Sequence, residues 1–338
     1  MIVNIAMQDT PTHIAMLLLP AFNSMAAHSF IDPFRVANYL KRQNLYAWQF
    51  VSLDGKESTA SNGLNIAQTT AYSDLQEQPD IVVINSSWTP EKFQDDKLRN
   101  WLRILARNQV TLVGIDTGAF VMAYAGLLEQ RRATVHFEHS ASFRELFPNT
   151  ELLETLYCID GLNLSCCGGF AAADLALEII LEQQGNKLAN EVANYIFKER
   201  LRSSQERQLP STSNAVSAVA SPHMKAAIEL MEAHLEEPLS IATVASTLGI
   251  SQRKLERLFA SYLQMPPVRY YLHIRLERAH ALLTQTNLSI AEIASACGFH
   301  SSEHFSRAYK KRFRTLPSLD RREGRIPFQF REFARANT

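Results

Sequence analysis

The sequence predicts a doubly wound α/β domain followed by an all-α domain built from two helix-turn-helix units. Three observations carry that expectation. Through the first two-thirds, short apolar runs alternate with helical patterns, as a sheet of parallel strands requires. Near the C-terminus, Leu239-Ser-Ile-Ala-Thr-Val-Ala-Ser-Thr-Leu-Gly249 recurs 49 residues later as Leu288-Ser-Ile-Ala-Glu-Ile-Ala-Ser-Ala-Cys-Gly298, with seven positions identical. Charge is also split between the halves. Residues 1–221 hold 17 Lys+Arg against 23 Asp+Glu, and residues 222–338 hold 17 against 11, although the whole chain is formally neutral.

A length of 338 residues suits two domains. We place them at 1–202 and 222–338, with 203–221 as a linker rich in Ser, Gln, Asn and Thr. Two copies of a phrase are too few for a solenoid. The basic C-terminal domain points to an anionic partner, although a solvated surface carries such a charge as well. The four cysteines, Cys158, Cys166, Cys167 and Cys297, form no C-x-x-C or zinc spacing and fit reduced thiols. No metal and no cofactor are expected. The apolar run Ile14–Leu19 is too short for a membrane span and lacks a signal peptide's basic flank, so a cytoplasmic protein is expected.

Taken in order, Ile14–Leu19 reads as a buried parallel strand ending at Pro20. A helix over Met25–Tyr39 follows, then a strand at Trp48–Leu53 closed by Asp54-Gly55. Ile81–Ile84 is a third strand. A helix over Glu91–Arg107 leads to a fourth, Thr111–Ile115, and Ala119–Leu127 is helical again. Functional groups in such sheets gather at the carboxyl ends of the strands. That rule selects Phe22 and its neighbours, Asn85 to Trp88, and Asp116-Thr117-Gly118. Asp116 stands at a strand-to-helix turn, where a side chain is pushed into the crevice beside a helix N-terminus.

Gly114-Ile-Asp-Thr-Gly-Ala-Phe120, Ala125-Gly-Leu-Leu128 and Arg132-Ala-Thr-Val-His136 resemble the core of the class I glutamine amidotransferase-like, PfpI-type domain. Asp54-Gly55, Ser61-Asn62-Gly63 and Cys166-Cys-Gly-Gly169 followed by Asp174 extend the likeness to roughly residues 12–198. It implies a flavodoxin-like fold. In the enzymes of this fold the elbow residue is a cysteine nucleophile helped by a histidine and an acidic residue. By position these are Asp116, His136 and Asp32. Aspartate cannot supply the activated thiolate that such chemistry needs, so the domain reads as an enzyme fold retained for binding. Asn85-Ser86-Ser87 also replaces the usual Gly-rich turn.

A carboxylate at Asp116 with aromatic walls from Phe22, Trp88 and Phe137, and with Asn85, His136, Glu138 and Asp32 nearby, suits a cationic ligand. On the plainer alternative Asp116 caps its helix and the aromatics are core.

In the basic domain, His223–Leu235 reads as a helix. Ser240 caps a helix whose Ile241, Val244, Ala245 and Leu248 share one face, and Gly249 ends it. Ser251 starts a second helix that buries Leu255, Leu258, Phe259 and Tyr262 and exposes Gln252, Arg253, Glu256 and Arg257. The second copy repeats this from Ser289 through Gly298 and Ser301, exposing Ser302, Glu303, Ser306 and Arg307. Lys310 and Lys311 head a basic run suited to phosphate. Val268–Leu283 is a connecting helix that sets two reading helices near one DNA turn apart.

Arg275-Leu-Glu-Arg-Ala279, Ser289-Ile-Ala-Glu-Ile-Ala294, Cys297-Gly-Phe299 and Ser301-Ser-Glu-His-Phe-Ser-Arg307 resemble the AraC/XylS DNA-binding domain, over roughly 222–322. Gln264 and Arg314 depart from the glycine usual before each terminal proline, and Asp320 from a tyrosine. These departures are expected to loosen turn geometry and phosphate contacts.

The paired resemblance implies a transcription regulator, an activator, that binds double-stranded DNA and meets RNA polymerase. It further implies a homodimer formed through the α/β domain, and an effector resembling arginine, glycine betaine or carnitine. Two rivals stand beside this reading: a PfpI-type hydrolase or amidase with a DNA-binding appendage, and a ligand-independent repressor.

Overall fold

The computed structural model describes residues 10–67, 69–208 and 221–323. They form two compact units, one ending at Gln208 and the other made of residues 221–323.

The first unit is the doubly wound α/β fold. Its main strands are β1 (Thr12–Leu18), β2 (Tyr46–Ser52), β6 (Ile81–Ser86) and β7 (Thr111–Asp116), with the short strands β3 (Ser58–Thr59), β4 (Asn65–Ile66) and β5 (Thr70–Ala71) between β2 and β6. After β8 (Arg132–Ala133) and β9 (Glu151–Leu152) comes the hairpin of β10 (Tyr157–Asp160) and β11 (Asn163–Cys166). The seven-stranded sheet runs β10-β11-β7-β6-β1-β2-β5, parallel except for β10 against β11. Alternate residues of β1 enter opposite cores, as the pleat demands. Ile14, Met16 and Leu18 face one, and Ala15 and Leu17 face the other. Burial on both faces is why the strand is an unbroken apolar run.

Helix α1 (Ser24–Lys41) packs with α5 (Ala171–Gln184) and α6 (Asn186–Tyr195) on the first core. Helices α2 (Asp96–Arg107) and α3 (Gly118–Tyr124) cover the second, and α4 (Ser140–Leu146) adds Phe143 to it. The helix expected over Glu91–Arg107 starts later than predicted. Pro90–Lys92 is only a 3-10 turn, and α2 begins after Asp95, whose side chain accepts from the Lys97 and Leu98 amides. That cap ends the continuity expected from Glu91.

The linker expectation also changes at its start. Residues 203–208 belong to the first unit, because Gln208 is buried and Leu156 N–H donates to Glu206 O. Residues 209–220 lie outside the described residues, as do 324–338 of the C-terminal domain.

The second unit comprises α7 (Pro222–Ala233), α8 (Ile241–Thr247), α9 (Gln252–Leu263), α10 (Pro267–Gln285), α11 (Ile290–Ala296), α12 (Ser302–Phe313) and α13 (Pro317–Glu323). Ser240, Ser251, Ser289 and Ser301 each cap the following helix, and Ser289 forms a reciprocal capping box with Glu292. Val244, Ala245, Leu255 and Phe259 close one small core; Ile293, Ala294, Phe305 and Tyr309 close the other. Tyr262 departs from the expected burial, being 38% exposed at the end of its helix. At 19 residues, α10 is roughly 28 Å long.

The departures from family pattern keep the geometry. Gln264 and Arg314 hold the left-handed cap with φ of 53° and 63°, and their amides bond Ala260 O and Lys310 O. Asp320 accepts from Tyr309 Oη at 2.7 Å and so ties α13 to α12.

The two turn glycines differ in their surroundings. Both have positive φ, but a Cβ on Gly249 would meet nothing within 4 Å, whereas one on Gly298 would lie 2.7 Å from Leu235 O and 2.6 Å from Pro238 Cγ. Gly249→Ala should therefore cost about 1 kcal/mol, the left-handed penalty alone. Gly298→Ala should cost at least about twice that, since backbone must move. Thermal denaturation of the two variants checks this, and equal losses would contradict it.

Candidate functional site

The elbow is built by a close approach of backbones. Asp116 ends β7 with φ of 61°, and a Cβ on Gly118 would fall 2.1 Å from Ile84 O. Only glycine lets α3 start so near β6. The Asp116 side chain turns inward to an asparagine. Asn23 Nδ2 donates to Asp116 Oδ2 at 2.8 Å, and Asn23 Oδ1 accepts from Ala26 N, capping α1. Asn85 then clasps the Asn23 backbone from β6: Asn23 N donates to Asn85 Oδ1 at 3.1 Å, and Asn85 Nδ2 donates to Asn23 O at 3.0 Å.

Asp116 is 5% exposed. Burial lifts its carboxyl to about 6, against the opposing pull of His136 and the Asn23 hydrogen bond. His136 N–H donates to Asp116 O at 3.4 Å. The His136 ring packs on Phe137, with centroids 4.6 Å apart, and its Nδ1 stands 3.8 Å from Glu138 Oε2.

The structure gathers some of the expected ligand residues and separates others. Asn23, Asp116, His136, Phe137 and Glu138 form one cluster. Asn85 supports it, but its amide is committed to Asn23. Phe22 is wholly buried in the sheet's first core and forms no wall. Asp32 lies on the exposed side of α1, where its carboxylate pairs with Arg35 at 2.9 Å instead of with His136.

Trp88 lines a different space, a cleft of about 530 Å³ with Pro20, Ala21, Asp54, Lys92 and Phe93; neither Asp116 nor His136 lines it. Ala21 and Thr89, both at this cleft, have positive φ, a strain that a sequence does not reveal. Asn23 stands in the strand-end stretch that the sequence selects and an asparagine before a helix is a legible cap signal, but its bond to Asp116 is not legible there. Among the described residues, no group of three or more His, Cys, Asp or Glu is placed to hold a metal ion. Nor is any helix long and apolar enough to cross a membrane.

In the second unit, Gln252, Arg253, Glu256 and Arg257 are exposed on α9. Ser302, Glu303, Arg307, Lys310 and Lys311 are exposed on α12, and Ser306 is half-buried. Gln252 Nε2 donates to Glu256 Oε1 at 2.9 Å, and Arg253, Lys254 and Arg257 give α9 an exposed cationic surface. Arg312 is drawn aside to Glu277 at 2.7 Å.

One working residue was not singled out from the sequence. Arg275 of α10 donates from Nε to Cys297 O at 2.8 Å and from Nη2 to Gly298 O at 2.6 Å, and its guanidinium lies 4.4 Å from the Phe299 centroid. It caps the carbonyl end of α11 and so sets the turn that aims α12.

A sheet with an elbow at β7, joined to two capped helix-turn-helix units, defines a class of regulator. Residues 14–182 match the DJ-1/PfpI family, and residues 244–323 match a helix-turn-helix domain. The chain belongs to the AraC-type transcriptional regulators that carry a DJ-1/PfpI domain.

Among its relatives, the HTH-type transcriptional regulator CdhR of Pseudomonas aeruginosa is 39% identical over 305 residues, 90% of each chain. The HTH-type transcriptional regulator GbdR of the same species is 36% identical over 314 residues, covering 93% of this chain and 85% of that one. The crystal structure of an AraC family transcriptional regulator from Pseudomonas putida covers 55% of this chain and all of its own, with 26% identity and a TM-score of 0.52.

Two expectations follow from the geometry. Asp116→Asn keeps the acceptor for Asn23 and tolerates a left-handed backbone. Because the folded carboxyl sits near 6 and not at 3.8, its contribution to stability is full below about pH 4 and lost as pH rises through about 6. Thermal melts should find the variant more stable than wild type at pH 8, by up to about 3 kcal/mol, and converging with it near pH 4. An equal gain at both pH values would show that ionisation of Asp116 does not set the difference.

On the DNA side, Lys310→Ala should weaken binding to random-sequence duplex and reduce the salt slope by about one. Arg275→Ala should weaken binding with the slope unchanged, since its guanidinium faces protein carbonyls. Salt titrations read both.

Proposed function

We propose that this regulator is an activator switched by a small cationic metabolite that binds the α/β unit. The carrying observation is the elbow itself. Where a nucleophile would stand there is a buried carboxylate, hydrogen-bonded to Asn23 and flanked by Glu138 and the exposed Phe137. An ionised carboxylate there is held at a cost that a cation offsets, and an aromatic face beside it suits an ammonium or guanidinium group. Arginine, glycine betaine and carnitine all present such a group.

Hydrolysis is not supported by the thiols at hand. Cys166 is fully buried beside Cys167, and burial raises its pKa well above the ordinary value, so the thiolate is disfavoured.

The effector meets Asp116 through the mouth formed by His136, Phe137 and Glu138. Binding favours the arrangement of the unit in which that mouth admits a ligand, and only such a difference in affinity moves the equilibrium. The chain acts as a homodimer through this unit. In the DNA-binding unit Arg253, Arg257 and Arg307 read bases or phosphates, with Gln252, Glu256, Ser302, Glu303 and Ser306 as secondary contacts and Lys310 and Lys311 on the backbone. Bound DNA then presents the activator to RNA polymerase.

Thermal-shift titration tests the effector. At a hundred times its dissociation constant a ligand adds about 2.7 kcal/mol to stability. Arginine, glycine betaine or carnitine should raise the melting temperature of the wild type and leave Asp116→Asn unmoved. No shift with any of the three, or the same shift in the variant, would overturn the cation reading.

A further inference from the structure

We infer that residues 198–208 form a strap which couples the His136 loop to the DNA-binding unit, with Gln208 as its releasable latch. The inference rests on the switched regulator proposed above, but its geometry is independent of any ligand.

The strap has a firm end and a marginal one. At the firm end Asp174, whose side chain is wholly buried, takes two hydrogen bonds from the Arg202 guanidinium at 2.9 and 2.7 Å and one from Arg202 N at 3.1 Å. Lys198 Nζ adds a contact at 3.0 Å, and Tyr157 Oη donates to Arg202 O at 3.1 Å. A buried carboxylate with two cations does not let go readily, since losing one partner strands a charge.

Beyond Arg202 the chain lies against residues 154–156. Leu156 N donates to Glu206 O, Arg207 bridges Thr155 in antiparallel fashion, and Gln208 N donates to Glu154 O. The Gln208 side chain then turns inward and is 8% exposed. Its Nε2 donates to Val135 O at 2.8 Å, Thr155 O at 3.0 Å and Thr134 Oγ1 at 3.1 Å. Two carbonyl acceptors fix which end is nitrogen, because a flipped amide would set oxygen against oxygen.

The Oε1 pays for this orientation: it is buried and accepts no hydrogen bond from the described residues. A buried acceptor without a donor opposes the fold. The latch is therefore held by two neutral side-chain N–H groups shared among three acceptors and loosened by one stranded oxygen, the balance expected of a contact that opens.

What it clasps gives it meaning. Val135 immediately precedes His136, whose amide bonds Asp116 O at 3.4 Å. Any shift of the mouth at His136–Glu138 moves Val135 O, one of the latch's acceptors. Release changes the chain's reach. An open latch frees residues 203–208, which add at most roughly 20 Å of extended chain between Arg202 and the segment beyond Gln208. In this way a small displacement at the mouth becomes a large change in where the DNA-binding unit can go.

Hydrogen exchange and tryptic cleavage of the full-length protein test the coupling without any ligand. Gln208→Ala should speed cleavage after Arg207 several-fold while Arg202 stays protected, and should accelerate exchange of the His136–His139 amides about tenfold. Because coupling is reciprocal, Asp116→Ala should raise cleavage after Arg207 in the wild-type latch. If Gln208→Ala frees residues 203–208 but leaves His136–His139 unchanged, the strap is only edge stitching and the inference fails. Gln208→Met, which fills the volume without donors, takes the place of the alanine variant if that variant loses its fold, and carries the same two outcomes. A failed effector screen leaves these results readable, so loss of the cation reading and loss of the strap are told apart.

Discussion

One asparagine holds the carboxyl ends of three strands together. Asn23 follows β1, is clasped through its backbone by Asn85 of β6, and donates from its side chain to Asp116 at the end of β7. Its remaining oxygen caps α1. Each of these polar groups is buried or half-buried, so each needs a partner, and the cheapest arrangement is a closed set. The crevice that doubly wound sheets leave at their strand ends is thus tightly tied on the Asp116 side. It stays open on the Trp88 side, where Ala21 and Thr89 carry the strained backbone.

The DNA-binding unit has its own version of the same economy. The duplicated phrase is equal in sequence but unequal in setting. Gly249 ends α8 in open space, while Gly298 is packed by Leu235 and Pro238 from the first half of the unit. Arg275, from the helix between the halves, takes the carbonyls on either side of that second turn. The second helix-turn-helix is therefore placed by contacts from the first half and from α10 together. Spacing between α9 and α12 is a property of this packing as much as of the length of α10.

Much of this was legible because it follows from local chemistry. A two-sided apolar run marks β1, serine caps and glycine stops mark each helix-turn-helix, and the spacing of Gly114 and Gly118 around Asp116 marks the elbow. The misses share a different cause. Phe22 stands beside the site in sequence but packs into the sheet's first core, past a turn in which Ala21 has positive φ. Asp32 is near by position, yet α1 carries it to the solvent face and to Arg35. Arg275 looks like one more basic residue on a basic helix, and only tertiary packing shows its carbonyl partners. Gln208 sits in a polar stretch whose composition reads as a tether, and its burial depends on Thr134 and Thr155, more than fifty residues away in sequence.

The aspartate at the elbow changes what the fold can use its binding energy for. An enzyme gains from contacts made only in the transition state, whereas a switch gains only from contacts that differ between its two arrangements. A thiolate nucleophile must be reachable and chemically poised. A carboxylate that is nearly closed off and reluctant to ionise meets neither demand, but it meets the second requirement well. On the effector reading proposed above, the closed carboxylate bears the cost of burial and opening toward a cation relieves it, which gives a free-energy difference between an open and a closed mouth at His136–Glu138. The segment leading to the DNA-binding unit is clasped one residue from that mouth.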